Sequence, residues 1–141
     1  MSFVAAITSG FKRYVDFQGR SSRSEYWYWV LFSAIIGFVL GFFKGLFIGL
    51  DHGPNPVSTA ITVLQALFEL AIVLPSLGLA VRRLHDTNRS GWWYLIIFTI
   101  IGVIPLLIWF CTRGTIGENR FGPDPLGTDQ TNSRPEGAWA T

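Results

Sequence analysis

The chain has 141 residues, half of them hydrophobic and only 14% charged, with eleven Lys and Arg against nine Asp and Glu. That charge fraction lies well below the roughly 25% of soluble domains. It leaves little with which to build a soluble core, and a net charge of +2 offers no basic field for nucleic acid. One cysteine, Cys111, and two histidines exclude an internal disulfide and give no ligand set for a zinc or iron–sulfur site, so no metal and no cofactor is expected.

Along residues 2–17, Phe3, Val4, Ile7, Phe11, Tyr14 and Val15 recur at helical spacing, with Lys12 and Arg13 off that stripe. The pattern predicts a short amphipathic helix, lying in the headgroup plane or packed on the ends of the membrane helices. A cleavable signal is not expected: the first apolar run is too long for a signal core and has no convincing small-residue cleavage site. Gly19 and Ser21, Ser22 and Ser24 suit a turn and a helix N-cap, and the quartet Tyr26-Trp27-Tyr28-Trp29 suits the aromatic belt of a membrane interface.

Three apolar segments follow, at about 27–50, 57–81 and 92–112. Each is long enough to cross a hydrocarbon core of roughly 30 Å, so the predicted fold is an all-α integral membrane protein with three transmembrane helices. The first segment carries Gly37, Gly41, Gly45 and Gly49 one helical turn apart. Such a glycine zipper permits close helix packing in lipid, either within the chain or as a homo-oligomer seam. The loop near Asp51–Pro56 has no Lys or Arg, whereas the N-terminal flank has Lys12, Arg13, Arg20 and Arg23 and the second loop has Arg82, Arg83 and Arg89. The positive-inside rule places the N-terminus and the second loop in the cytoplasm. Three full spans then send the C-terminus outside, although Arg113 and Arg120 lie close to the third segment. Gly102 and Pro105 offer an alternative, a re-entrant hairpin that returns to the starting side. Residues 1–126 read as one membrane domain, and the Gly-, Pro- and Ser/Thr-rich remainder, 127–141, as a disordered tail with disorder beginning near Pro123.

The second segment has one polar face made by Ser58, Thr62, Gln65, Glu69, Ser76, Ala80 and Arg83, and that face is expected to look inward. Glu69, near mid-membrane, needs neutralisation or a partner; Lys44 on the first segment is one candidate and Gln65-type hydrogen bonding another. A proton or ion relay is the functional reading of Glu69 and an interhelical hydrogen bond the structural one. The run Arg82–Gly91 combines Arg82, Arg83, His85, Asp86 and Arg89 at a helix C-terminus. Either it fixes two helices by salt bridges and marks topology, or its arginines grip phosphate or carboxylate in a headgroup-level pocket. His85 and Asp86 are adjacent without any motif that supplies a nucleophile, and P-loop, GxGxxG and HExxH signatures are absent, so catalysis is not expected.

Three strings, FQGRSSRSEYWYW at 17–29, VRRLHDTNRSGWW at 81–93 and GTIGENRFGPDP at 114–125, resemble in order and spacing the bacterial inner-membrane family called domain of unknown function 805. The resemblance implies a small multi-pass protein of the inner membrane with no established activity. It directs attention to Arg20 and Arg23, to Arg82, Arg83, His85 and Asp86, to Ser90-Gly91-Trp92, and to Asn119, Arg120 and Asp124. Two functions follow as expectations. One is a non-enzymatic membrane module that scaffolds or regulates a membrane-protein partner or a second copy. The other is binding or transport of an anionic small molecule or lipid headgroup at Arg20, Arg23, Arg82, Arg83, His85, Asp86, Arg89, Asn119, Arg120 and Asp124.

Overall fold

The computed structural model describes residues 1–127. Its elements are α1 (Phe3–Lys12), α2 (Arg23–Leu50), α3 (Pro56–Asp86), a 3₁₀ segment (Gly91–Phe98) and α4 (Val103–Cys111). The helices α2 and α3, 28 and 31 residues long, are the two that are long and apolar enough to cross a membrane. At 1.5 Å per residue they measure about 42 and 46 Å, which carries them beyond the hydrocarbon into both interfaces.

Their ends are set locally. The Ser22 hydroxyl accepts from the Glu25 amide to open α2. Asn55 and Ser58 form a reciprocal capping box at the start of α3, with Pro56 in the first turn, where its missing N–H costs nothing. α3 ends as Asn88 takes a left-handed conformation, φ 59°.

Pro75 lies inside α3 and cannot donate to the carbonyl of Ala71 one turn earlier. The Tyr14 hydroxyl, just beyond α1, donates to that carbonyl, which satisfies a backbone group that lipid would leave bare. α1 is thereby packed on the bundle, the second of its two predicted placements. Ala6 and Gly10 are buried, and Gly10 sits so closely under the Trp29 ring that a Cβ would collide with it. Phe3 meets Tyr28 edge-on, and Phe11 meets Trp29 and Phe32. Val4 on the other face stays exposed.

The expected third long helix at 92–112 does not form. The segment leaves the end of α3 as a 3₁₀ helix, turns at Thr99–Gly102, and returns as α4. The eight-residue 3₁₀ stretch reaches about 16 Å, roughly half a bilayer core. Trp93 and Trp109 then face each other across the hairpin, with ring centroids 5.7 Å apart. The turn has a local cause. The Thr99 hydroxyl donates to Ile96 O and accepts from the Gly102 amide, and a Cβ on Gly102 would strike both groups. Pro105 falls in the first turn of α4, where proline starts a helix instead of kinking one. At the tip Phe98, Ile100 and Ile101 are exposed, with the Thr99 hydroxyl engaged by the turn.

The glycine strip is not a packing seam within the chain. A Cβ built on Gly37, Gly41, Gly45 or Gly49 meets no atom within 4 Å. The close approach occurs instead at Gly78, where a Cβ would lie 3.2 Å from the Asp16 carbonyl, because the chain between α1 and α2 crosses α3 there.

Two outcomes are expected. In a Cys111→Ser background, single cysteines at Ser2 and Leu126 should share one accessibility to an impermeant maleimide and His52→Cys the opposite one; a Leu126 pattern that follows His52 would restore a full third span. Tyr14→Phe, which strips the Ala71 carbonyl of its donor, should cost about 1–3 kcal/mol in a reversible denaturation in detergent, and an unchanged midpoint would dissociate Tyr14 from the Pro75 defect.

Candidate functional site: an arginine clasp at one end of the bundle

A helix leaves its last four carbonyls without partners inside itself. For α4 these belong to Ile108, Trp109, Phe110 and Cys111, at the end of a hairpin that must stop beside α3. Thr112 supplies Ile108 O with its amide and hydroxyl. Arg83 donates to Phe110 O at 3.2 Å and to Trp109 O at 3.3 Å. Arg23 donates to Cys111 O. Arg83 goes on to the Thr112 carbonyl and to Asp86 on its own helix. Its position on α3, one turn before the helix end, aims it across at α4, and the cation complements the negative end of the α4 dipole.

Asp86 is the hub. Its side chain is 3% exposed and holds Arg83 on one oxygen and Arg20 on the other, the latter at 2.8–3.0 Å. Arg20, itself 1% exposed, reaches the arm that follows α4: it donates to the carbonyls of Thr115, Gly117 and Gly122, and Asp124 lies 4.0 Å away. The arm closes the circle, since the Thr115 amide donates to Asp86 O and Asn119 Nδ2 to His85 O, capping the last carbonyls of α3. Gly114 is required here because a Cβ would overlap the Asp86 carboxylate.

The arm is ordered through Pro123–Leu126, where disorder was expected. Asp124 accepts from the amides of Leu126 and Gly117. Those amides, helped by Arg20 and Arg113, hold its carboxyl below the usual range. Asp16, outside the spans, is likewise lowered by the Gln18 amide and the Arg13 side chain. Residues 128–141, most of the predicted tail, lie outside the described residues.

Of the residues singled out in the sequence, Arg20, Arg83, Asp86, Asn119 and Asp124 therefore form one network with His85 at its edge. The His85 ring stacks on Phe121 at 3.9 Å, with Nδ1 3.1 Å from Gly19 O. Arg89 lies over Trp109 and Arg120 over Phe121; both are peripheral. Arg82 is apart from the network. Its guanidinium is fully buried beneath the α1–α2 connection, with Asp16 at 3.9 Å, and no nitrogen of it has a hydrogen-bond acceptor among the described residues.

The intramembrane polar residues are elsewhere. Glu69 is exposed and accepts from Gln65 Nε2 at 3.1 Å on its own helix; the ion pairs of the described residues do not include Lys44. The polar face of α3 turns inward at Ser76, which accepts from Trp29 Nε1 at 2.9 Å. Sequence reasoning missed Ser9 and buried Glu25, whose 2.7 Å hydrogen bond ties α1 to α2, and missed the backbone carbonyls that share Arg20 and Arg83 with Asp86. Carbonyls carry no sequence signal.

Two long apolar helices that qualify as membrane spans, an apolar hairpin and a buried arginine–aspartate clasp define a small helical membrane protein. Residues 14–123 match the model of the family described as Protein of unknown function (DUF805), and the chain belongs to that family. It is 46% identical over 115 residues to Inner membrane protein YhaI of Escherichia coli (strain K12), covering 81% of this chain and 89% of that protein. It is 40% identical over the same length to Inner membrane protein YhaH of the same strain, covering 81% and 90%. No solved structure matches.

Asp86→Ala is expected to be among the most damaging single changes. It removes the carboxylate that holds two buried guanidinium groups together, leaving Arg83 without an ion-pair partner and Arg20 with only Asp124 at 4.0 Å, a class of change that costs about 3–5 kcal/mol. A thermal melt in detergent within error of the parent protein would refute the hub assignment.

Proposed function

We propose that the protein is a non-enzymatic module of the bacterial inner membrane, N-terminus cytoplasmic, that serves as a scaffold or regulator of a membrane partner. The observation that carries this reading is the state of the arginines. The donors of Arg20 and Arg83 are engaged by Asp86 and by backbone carbonyls, so these residues build a cap and offer no open anion pocket. Orientation is supported by the hairpin: it returns Arg113 and Arg120 to the end that holds Lys12, Arg13, Arg20, Arg23, Arg82, Arg83 and Arg89. One end then carries all the arginines of the described residues and the Asp51–Pro56 loop none. The inner-membrane assignment follows the names of the two relatives.

A second reading keeps an anionic lipid headgroup at the rim. It is favoured by Arg23, which is exposed and holds one long hydrogen bond, 3.3 Å to Cys111 O, with Arg89 and Arg120 beside it at the same end. The two readings separate in nanodiscs. Arg83→Met should lower the melting temperature whatever the lipid, whereas the triple variant Arg23→Ala, Arg89→Ala, Arg120→Ala should keep its fold and respond to phosphatidylglycerol as the parent does. A well-folded Arg83→Met protein would sink the cap reading, and loss of phosphatidylglycerol stabilisation in the triple variant would install the second.

A further inference from the structure

A trough runs along α3 beneath the 3₁₀ segment. Its upper part, about 360 Å³, is walled by Phe17, Leu77, Val81, Trp92, Tyr94 and Leu95. A second hollow of about 370 Å³ shares Leu77 and Tyr94 with it and continues past Ser76 to Glu69. From His85 to Glu69 is sixteen residues of helix, about 24 Å, and one leaflet of hydrocarbon is about 15 Å deep. The upper walls are apolar, the deeper hollow adds Ile72 and Val73 and meets polar groups at Ser76 and, at its far end, Glu69, and α3 is one of the two candidate spans. The volume is of small-ligand size and too small for a helix of about 10–12 Å diameter. A single alkyl chain is the occupant of that shape.

The mouth of the trough is polar in a particular way. His85 and Ser90 both line it. His85 Nδ1 faces the Gly19 carbonyl, an acceptor, so that nitrogen carries the hydrogen and Nε2 of the neutral ring is left as an acceptor. Ser90 sits at the N-cap of the 3₁₀ segment without making a cap hydrogen bond, so its hydroxyl is also unengaged there. Two uncharged groups with unfilled hydrogen-bonding capacity thus stand where the headgroup of a chain lying in the trough would be. Any head with an N–H or O–H donor can satisfy Nε2 and a trimethylated head cannot; a primary ammonium carries three donors, enough for Nε2 and the Ser90 oxygen together.

We propose that this trough is a lipid site that takes one acyl chain of a phospholipid with a primary-ammonium head, the head held at His85 and Ser90. The site is separate from the arginine clasp and does not depend on the scaffold reading.

The test uses the full chain in phosphatidylcholine nanodiscs and two photoreactive probes with the same diazirine-bearing acyl chain, one a phosphatidylethanolamine and the other a phosphatidylcholine. Adducts on residues 77–95 are measured against adducts on Phe38 and Phe42, which are exposed on α2. The expected ratio is about fivefold higher for the ethanolamine probe, the effect of one hydrogen bond. Leu95→Trp, which fills the trough from its exposed side, should abolish the 77–95 adducts and leave those on α2 unchanged. Equal ratios for the two probes, or trough labelling that survives Leu95→Trp, would reduce the site to ordinary boundary lipid and overturn the proposal. Protein–protein adducts at 77–95 in place of lipid adducts would overturn it in favour of a protein occupant.

Discussion

The junction of α3, α4 and the arm that follows depends on Asp86 holding two guanidinium groups at once. The hairpin is costly because it brings a helix C-terminus, with its unpaired carbonyls, to a place where another helix also ends. Here the two deficits answer each other. Arg83, anchored by Asp86, donates to the last turn of α4, and the arm beyond α4 donates back to the last turn of α3. Arg20 ties the arm down from the other side of the same carboxylate. The charges balance only as a set, since each buried ion is tolerable through its neighbours.

This arrangement divides the molecule into two unlike halves. The half near the clasp has α1, the hairpin and the arm packed around α2 and α3, with Trp29, Leu79 and Leu84 buried. In the other half α2 and α3 run on with only each other for company. There Phe38, Phe42, Val63 and Leu67 are exposed, as lipid-facing residues are, and the glycine strip touches nothing in the chain. Backbone satisfaction follows the same division. Near the clasp it requires side chains from distant segments, as with Tyr14 at the Pro75 break. Away from it the regular helix and the Asn55–Ser58 cap suffice.

Membrane residence, the two long helices, the polar turn between α3 and the hairpin, and family membership were legible in the sequence, because apolar run length, arginine placement and the three motif strings are one-dimensional signals. The same strings marked Arg20, Arg83, Asp86, Asn119 and Asp124, yet left their role open between an anion pocket and a structural clasp. Length and hydropathy alone could not separate a full third crossing from a hairpin. Both use the same apolar residues at 92–112, and the choice turns on Gly102, Thr99 and the carbonyls that Arg83 reaches. Of the two readings of the glycine strip, packing within the chain is the one that fails, because spacing shows that a close approach is possible, not that another part of the chain is there.

By itself the sequence determined that this chain partitions into a bilayer, where α2 and α3 run, and which residues gather at one end, since these follow from apolar length and from the preference of charge for the interface. Only the tertiary structure decided that the third segment turns back and that Arg20 and Arg83 face inward onto backbone carbonyls. Those outcomes depend on which unpaired hydrogen-bonding groups meet in space, and backbone groups are the same at every position of a sequence.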